Sequence, residues 1–280
     1  MGKQKEETEN YIDIRRVMAS KGIKTPGLVV AFLNRLLHVA ELNDCINCCR
    51  GRKNVDMARG VMDYLRVRVE VRGLENIPLE GNPMVVGNHP LGGPDGMALI
   101  QAIGERREDI KFPVNDFLMA CPGFDDIFVP IDKVHRTAAN AAGLEAAFSG
   151  QNVLLYFPAG LCSRKTKGRI ADPQWKPTFV KKAVANQRVV VPVLFEAKNR
   201  NRFYFIANLR KKLGIKFNFE MALLPGEMMA QRGNTFRLTM GKPISYTVFD
   251  RSRTPQQWAD LMHDFVYTLK DNPQATFPAK

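Results

Sequence analysis

Beyond residue 65 the sequence alternates between short apolar runs and amphipathic stretches, and this alternation limits the fold more than any other feature. Residues 66–72 alternate strictly, which places Val67, Val69 and Val71 on one face of a strand. Further strands are predicted at Met84–Asn88, Ile110–Val114, Val153–Phe157, Val189–Leu194, Phe203–Ala207, Phe217–Met221 and Phe236–Thr239. Helices are predicted between them at Gly96–Glu105, Thr137–Phe148 and Pro177–Asn186. The pattern predicts an α/β fold with a central mixed sheet flanked by helices.

Both ends of the chain are predicted to be helical. Residues 1–65 are expected to form an N-terminal helical cap, with one helix after an N-cap at Thr25-Pro26 and another at Asn54–Leu65. The last helix is predicted to begin at a capping box, Thr254-Pro255-Gln256-Gln257. The expected division is therefore a cap at 1–65 on an α/β domain at 66–280.

The turn after the predicted strand at 84–88 carries the first candidate for chemistry. It reads Asn-His-Pro-Leu-Gly-Gly-Pro-Asp, so His89 and Asp95 lie at one strand-to-helix junction. An imidazole beside a carboxylate is the arrangement of a general base and its orienting partner. The alternative is a turn histidine whose ring is satisfied by local backbone, and the spacing alone fits both.

A second candidate follows the predicted strand at 153–157, in a Pro/Gly turn. Gly160, Ser163, Arg164 and Lys165 supply backbone N–H groups, a hydroxyl and two cations, a combination that suits an anion. No Walker pattern accompanies them, which disfavours a nucleotide. An ordinary surface turn is the alternative.

Two further segments are basic. The strand-like stretch 127–136 ends with Lys133 and Arg136, which either face the same anion or lie in a solvated loop. The span 197–219 has seven Lys or Arg and no acidic residue, with aromatic residues between them. Such a span suits a nucleic-acid groove or an anionic membrane interface, or is a solvated face beside a core strand.

Charge and cysteine content narrow the classes of partner and of site. The net charge is +13, from 41 Lys and Arg against 28 Asp and Glu, which favours a nucleic acid, an acidic membrane surface or an acidic carrier. Cys45-x-x-Cys48-Cys49 has spacings seen in metal sites, but no second Cys/His cluster lies nearby, so reduced thiols are expected. The polar N-terminus predicts no signal peptide. The apolar stretch Leu28–Ala40 is too short and too polar for a transmembrane span.

Taken together, these segments resemble the glycerolipid acyltransferase superfamily, whose type members acylate 1-acylglycerol-3-phosphate. Its four blocks are matched in order, over about residues 65–245. The first block is a His followed by an Asp after a strand, and His89 with Asp95 matches it. The second is a hydrophobic stretch ending in a basic residue, matched by Phe128 to Lys133 or Arg136. The third block is Phe-Pro-Glu-Gly with nearby Ser and Arg, matched by Phe157-Pro158-Ala159-Gly160 with Ser163 and Arg164. The fourth is an apolar strand with a proline, matched by Val190-Val191-Pro192-Val193.

Two departures from the superfamily pattern matter. Five residues, rather than the usual four, separate His89 from Asp95, so the extra one has to be absorbed in the Gly92-Gly93-Pro94 turn. Ala159 stands where the family commonly has a Glu associated with the acceptor's glycerol-phosphate end. These features, with the segments 157–165 and 170–175, are more similar to the bacterial, hemolysin-like branch that makes aminoacyl lipids.

The resemblance implies an O-acyltransferase. His89 would deprotonate a hydroxyl of a monoacylated lipid, such as an N-(3-hydroxyacyl) glycine or ornithine, and Asp95 would orient His89. Lys133, Arg136, Gly160, Ser163, Arg164 and Lys165 would bind the acceptor's anionic head group. The acyl donor would be a thioester of acyl carrier protein or coenzyme A, with no other cofactor and no metal. The expected location is the cytoplasmic face of the inner membrane, peripheral or monotopic, in contact with an anionic membrane surface and without a transmembrane span.

Three alternatives remain at this point. A lysophosphatidic acid acyltransferase is disfavoured by Ala159. A nucleic-acid-binding module built on 197–219 is not expected, since it leaves the two turn motifs unexplained. A metal-dependent hydrolase would need a second histidine ligand, and the other histidines have no ligand-like spacing.

Overall fold

A computed structural model of the chain describes residues 9–20, 22–131 and 137–279. Its first helices are α1 (Ile14–Ser20), α2 (Gly27–Leu36), α3 (Val39–Cys48) and α4 (Asn54–Tyr64). Strands and helices then alternate: β1 (Arg68–Arg72), β2 (Met84–Gly87), α5 (Gly93–Ile103), β3 (Ile110–Val114), α6 (Asp116–Met119), β4 (Phe128–Pro130), α7 (Ala138–Ser149), β5 (Val153–Tyr156), β6 (Arg164–Thr166), β7 (Arg169–Ala171), α8 (Thr178–Ala185), β8 (Val190–Glu196), α9 (Asn201–Lys212), α10 (Leu224–Met229), β9 (Thr235–Met240) and α11 (Pro255–Thr268). Short 3₁₀ turns lie at Leu74–Asn76, Phe219–Leu223 and Tyr246–Val248.

Seven of the strands form one mixed sheet in the order β1-β9-β8-β2-β5-β3-β4. Neighbouring strands are parallel except for β8 and β9, which pair antiparallel. The mixed sheet flanked by helices is therefore confirmed. Because β8, β2, β5, β3 and β4 all run the same way, the loops that follow them emerge at one edge, called the carboxyl edge below.

Both faces of the sheet are buried, which explains why the central strands are apolar without alternation. One face, with Val85 and Val191, packs beneath α3, α4 and α5. The other, with Met84 and Val190, packs against α8 and α11. The last helix begins as predicted, since Thr254 accepts from the Gln257 N–H while the Gln257 side chain accepts from the Thr254 N–H.

The N-terminal helices differ from the prediction in their boundaries. The apolar stretch 28–40 is split between α2 and α3 at His38, which has a left-handed φ of 50°. Thr25 does not cap α2; its hydroxyl donates to the Ile23 carbonyl, and Pro26 is the capping residue. Within the described ranges, no helix combines the length and apolar character needed to cross a bilayer.

Two predicted strands are wrong, and a hairpin was not foreseen. Residues 203–207 lie in α9, where Phe203, Tyr204 and Ala207 are buried at helical spacing. Residues 217–221 lead into the 3₁₀ turn at 219–223. Aromatic residues favour strands in general, but here the packing of one helical face decides the conformation. The hairpin of β6 and β7 follows the Pro/Gly turn, with Arg164 paired to Ala171.

Candidate active site

The central strand β2 delivers His89 to the carboxyl edge of the sheet. The residue between them, Asn88, is buried and bonds across to β8: its Nδ2 donates to the Phe195 carbonyl at 2.9 Å, and its Oδ1 accepts from the Phe195 N–H at 2.7 Å. The Asn88 side chain thus bonds to both backbone groups of Phe195 on β8. The residue that precedes His89 is therefore tied to the sheet.

The His89 ring meets Asp95 despite the five residues between them. His89 Nδ1 lies 2.9 Å from Asp95 Oδ2, an ion-pair distance, although the ring N–H is poorly aligned for a hydrogen bond. Asp95 is fully buried, and its Oδ2 also accepts from the N–H groups of Leu91 (2.8 Å) and Gly92 (3.0 Å). Gly92 absorbs the longer loop with a φ of +103°. The turn thus brings together the two residues that the sequence proposed as base and orienter.

The rest of the His89 ring is held by an aromatic neighbour. Phe157, at the end of β5, stacks on the imidazole with ring centroids 4.2 Å apart and planes 18° apart. The His89 side chain keeps 19% of its surface exposed. Because Nδ1 faces Asp95, Nε2 is the ring nitrogen available to a substrate.

A second carboxylate, Asp172, fixes the same turn from beyond β7. Both of its oxygens accept from the His89 backbone N–H at 3.1 Å. Oδ1 also accepts from the Ser163 hydroxyl at 2.6 Å, and Oδ2 from the Trp175 indole N–H at 3.0 Å. The Asp172 N–H donates to the Tyr267 hydroxyl on α11 at 2.9 Å. Asp172 is therefore a hub between the His89 turn, the Pro/Gly turn and the last helix.

Burial governs the electrostatics of this hub. It raises the pKa of Asp172, while hydrogen bonds from Ser163, His89 and Trp175 act in the opposite direction. Burial also raises the pKa of the Tyr267 phenol, and the nearby Asp172 charge adds to the effect. Asp172 was missed as a site residue because its contacts lie 83 residues away in sequence. The sequence signal for Asp172 is the segment 170–175, which is similar to the hemolysin-like branch.

The structure gives the residues of the Pro/Gly turn different roles. Gly160 is exposed and has a φ of +63°. Ser163 is buried: its hydroxyl donates to Asp172, and its N–H donates to the His89 carbonyl at 2.8 Å. Lys165 lies on β6, with Nζ 3.4 Å from Asn201 Oδ1. The turn therefore contacts His89 directly through Ser163.

Arg164 is engaged with protein groups. Its Nη2 lies 3.0 Å from Oε1 of the buried Glu220, whose Oε2 lies 2.8 Å from Arg210 Nε. The Arg164 guanidinium also sits over the Phe203 ring, 5.3 Å from its centroid. Two arginines around one carboxylate leave one net positive charge beside the turn. The anion-binding role of this loop stays a prediction, as do those of Lys133 and Arg136, which lie outside the described residues.

Ala159 and Cys162 are both buried in this loop. Burial, reinforced by the neighbouring Asp95 charge, raises the pKa of the Cys162 thiol to about 12. The thiol is therefore neutral near pH 7. It is a poor candidate for a nucleophile.

A polar cleft of about 550 Å³ opens beside the site, between the ends of β8 and β9. Lys198, Asn199, Gln231 and Arg237 are among its lining residues. Asn199 Nδ2 donates to the carbonyl of Pro90, next to His89, while its buried Oδ1 has no hydrogen-bond partner among the residues that the structure describes. Among the residues that the structure describes, no group of His, Cys, Asp and Glu is arranged to hold a metal ion.

Comparison with known proteins identifies the family. A family model described as Acyltransferase matches residues 16–276. The chain belongs to the acyltransferase family. Lyso-glycine lipid O-acyltransferases are similar to this acyltransferase: that of Phocaeicola vulgatus is 41% identical over 92% of this chain and 95% of its own, and that of Bacteroides thetaiotaomicron is 42% identical over 92% and 97%.

A solved structure is also similar to this acyltransferase. The 1-acyl-sn-glycerophosphate (LPA) acyltransferase PlsC from Thermotoga maritima superposes with a TM-score of 0.49 and 17% identity, over 91% of this chain and 92% of that one. The family model and the two bacterial relatives confirm the family resemblance and the acyltransferase class inferred from the sequence.

Proposed function

We propose that this acyltransferase moves a fatty acyl group from a thioester to the hydroxyl of an N-(3-hydroxyacyl) amino acid, with glycine as the amino acid. The observation that supports the chemistry is the contact of His89 Nδ1 with Asp95 Oδ2, which directs Nε2 away from Asp95. The choice of acceptor is supported by two relatives named lyso-glycine lipid O-acyltransferase, at 41% and 42% identity. Ala159, in place of the superfamily's usual Glu, agrees with an acceptor other than lysophosphatidic acid.

In the proposed reaction His89 Nε2 takes the proton of the acceptor hydroxyl. The oxygen attacks the thioester carbonyl, and the tetrahedral intermediate collapses to an ester and a thiolate. The imidazolium then returns its proton to the thiolate, so that the thiol leaves neutral. Asp95 stabilises the imidazolium during this transfer and keeps Nδ1 protonated.

Direct transfer needs no acyl-enzyme. Cys162, a thiol close enough to feel the Asp95 charge, is buried, and burial raises its pKa to about 12, which leaves almost no thiolate at neutral pH. The net positive charge of Arg164, Glu220 and Arg210 suits the acceptor's carboxylate. The donor is a thioester of acyl carrier protein or coenzyme A, and the working location is the cytoplasmic face of the inner membrane.

The test is an acyl-transfer assay with two acceptors in parallel. Purified protein receives either thioester together with N-(3-hydroxyacyl) glycine or with lysophosphatidic acid. We expect product from the glycine acceptor, and loss of a general base in His89→Asn should slow transfer about 10²–10⁴-fold. His38→Asn is the matched control, because His38 lies at the surface in a pair with Glu41 and should leave the rate unchanged.

Two results would overturn parts of the proposal. Product from lysophosphatidic acid alone would preserve the chemistry and refute the acceptor. Undiminished transfer by a correctly folded His89→Asn variant would refute the base role.

A further inference from the structure

We infer that the outer face of α9 and the segment after it form a docking surface for an anionic lipid bilayer, which holds the site against the membrane that contains its acceptor. The surface, called the α9 face below, consists of Phe205, Leu209, Leu213 and Phe217 with the basic residues Lys212 and Lys216. The inference rests on the proposed function, since it assigns the membrane from which the acceptor would come.

The α9 face is a second apolar face on a helix that already has a buried one. Phe203, Tyr204 and Ala207 face the protein interior. On the opposite side the chain exposes 67% of Phe205, 42% of Leu209, 62% of Leu213 and 77% of Phe217. The first three recur every four residues, so they form one stripe along the helix.

Charge around the stripe identifies its partner. The last turn of α9 contains Arg210, Lys211 and Lys212, and Lys216 follows before Phe217. The whole span 197–219 has no acidic residue. Exposed apolar side chains flanked by lysines fit an anionic bilayer surface, which attracts basic residues and takes up the apolar ones.

Hydrogen bonds and ion pairs connect α9 to the candidate site. Asn208 Nδ2 on α9 donates to the Lys165 carbonyl on β6 at 2.9 Å. Arg210, on the same helix, shares Glu220 with Arg164 of the Pro/Gly turn. That turn contacts His89 through the Ser163 N–H. A membrane seated on the α9 face would therefore lie next to the turn that the acceptor has to reach.

A nucleic acid fits the α9 face less well. Single strands bind by stacking bases on aromatic rings. Here two of the four exposed apolar side chains are leucines, which offer no stacking surface, and they follow Phe205 at helical spacing. The arrangement is that of an interfacial helix face.

Vesicle co-sedimentation of the full chain tests the inference. Vesicles of phosphatidylcholine, with or without phosphatidylglycerol, are mixed with wild type and with the double variant Phe205→Ser, Phe217→Ser. We expect the double variant to lose partitioning by a factor on the order of ten or more. The double variant Lys212→Glu, Lys216→Glu should lose the preference for phosphatidylglycerol. Leu79→Ser is the matched control, since Leu79 is 64% exposed on the loop before β2.

Activity measurements separate this inference from the proposed function. With acceptor dispersed in detergent, the Phe205→Ser, Phe217→Ser variant should transfer acyl groups at the wild-type rate, whereas His89→Asn should bind vesicles normally and transfer little. Wild-type partitioning by the phenylalanine variant would overturn the inference. The inference would also fail if only the variant Leu28→Ser, Phe32→Ser lost vesicle binding, since docking would then belong to the exposed residues of α2. Binding to a single-stranded oligonucleotide, lost in the phenylalanine variant and without binding to vesicles, would make the α9 face a nucleic-acid surface.

Discussion

Gly92 lets a five-residue loop bring Asp95 back to His89. Its φ of +103° and ψ of −122° lie in a backbone region that residues other than glycine rarely adopt. A Cβ at this position would also lie 3.1 Å from Leu224 Cδ1 and 3.3 Å from Cys162 Sγ. The N–H of Gly92 donates to Asp95 Oδ2, so a shift of this peptide would move the carboxylate that faces His89.

We therefore predict that Gly92→Ala lowers kcat about tenfold or more and destabilises the fold by about 1–3 kcal/mol. The neighbouring substitution Gly93→Ala is the control, because nothing lies within 4 Å of a Cβ there and its φ is not left-handed. Steady-state kinetics and thermal unfolding of both variants test the prediction. Equal kcat values for the two variants would show that the turn tolerates the strain.

Single residues of the site were predictable to the extent that their contacts are local. His89 and Asp95 lie within one turn, so their meeting followed from the order of residues. Asp172 contacts the His89 N–H across 83 residues and five intervening strands, and only the tertiary fold brings the two together. Spacing along the chain contains no information on such a contact.

At the scale of elements, a buried ion-pair cluster joins α9 to the β6–β7 hairpin. Glu220 has no exposed surface and lies between Arg164 of the hairpin and Arg210 of α9. Removing Glu220 would leave two adjacent arginines without a counter-charge, and removing Arg164 would leave the buried Glu220 Oε1 without its donor. Either loss usually costs more than the cluster itself contributes. The cluster should therefore hold the hairpin and the helix as one unit.

This argument predicts strong coupling between Arg164 and Glu220. Arg164→Ala and Glu220→Ala should each destabilise the protein by about 2–4 kcal/mol, and the double variant by about 1–3 kcal/mol less than their sum. Urea unfolding of the four proteins measures the coupling. Glu145→Ala, which removes a largely exposed partner of Lys182, is the control and should cost less than about 1 kcal/mol. If the two destabilisations simply added, the cluster would not link the hairpin to α9.

The sequence predicted most of the elements but placed α9 in a strand. Phe203, Tyr204 and Phe205 in succession favour a strand by propensity, and a run this short fits either period. Two facts decided the outcome: the buried positions 203, 204 and 207 share one helical face, and Glu220 supplies a partner for Arg210. The second fact depends on a contact ten residues away, outside any local pattern.

At the scale of the whole molecule, the two edges of the sheet have different tasks. His89, the Pro/Gly turn and the polar cleft lie at the carboxyl edge. At the opposite edge, the fully buried Arg188 donates to backbone carbonyls that precede β2 and β5 and that end α7. Burial lowers the pKa of Arg188 to about 10, so the guanidinium is still charged at neutral pH. One side chain thus fastens three adjacent parallel strands, β8, β2 and β5, where they begin.

Because Arg188 and the candidate site lie at opposite edges of the sheet, we predict that Arg188 stabilises the fold without affecting the rate of acyl transfer. Arg188→Met leaves several buried carbonyls without a donor, which should cost about 3 kcal/mol or more and lower the Tm by about 6–10 °C. Below that transition, kcat and KM should equal those of the wild type, because the site lies at the other edge. Arg237→Met, which removes a largely exposed pair with Glu70, should change the Tm far less. Scanning calorimetry with parallel kinetics decides the matter: equal Tm values for the two variants would refute the fastening role, and a fall in kcat of folded Arg188→Met would show that the two edges are coupled.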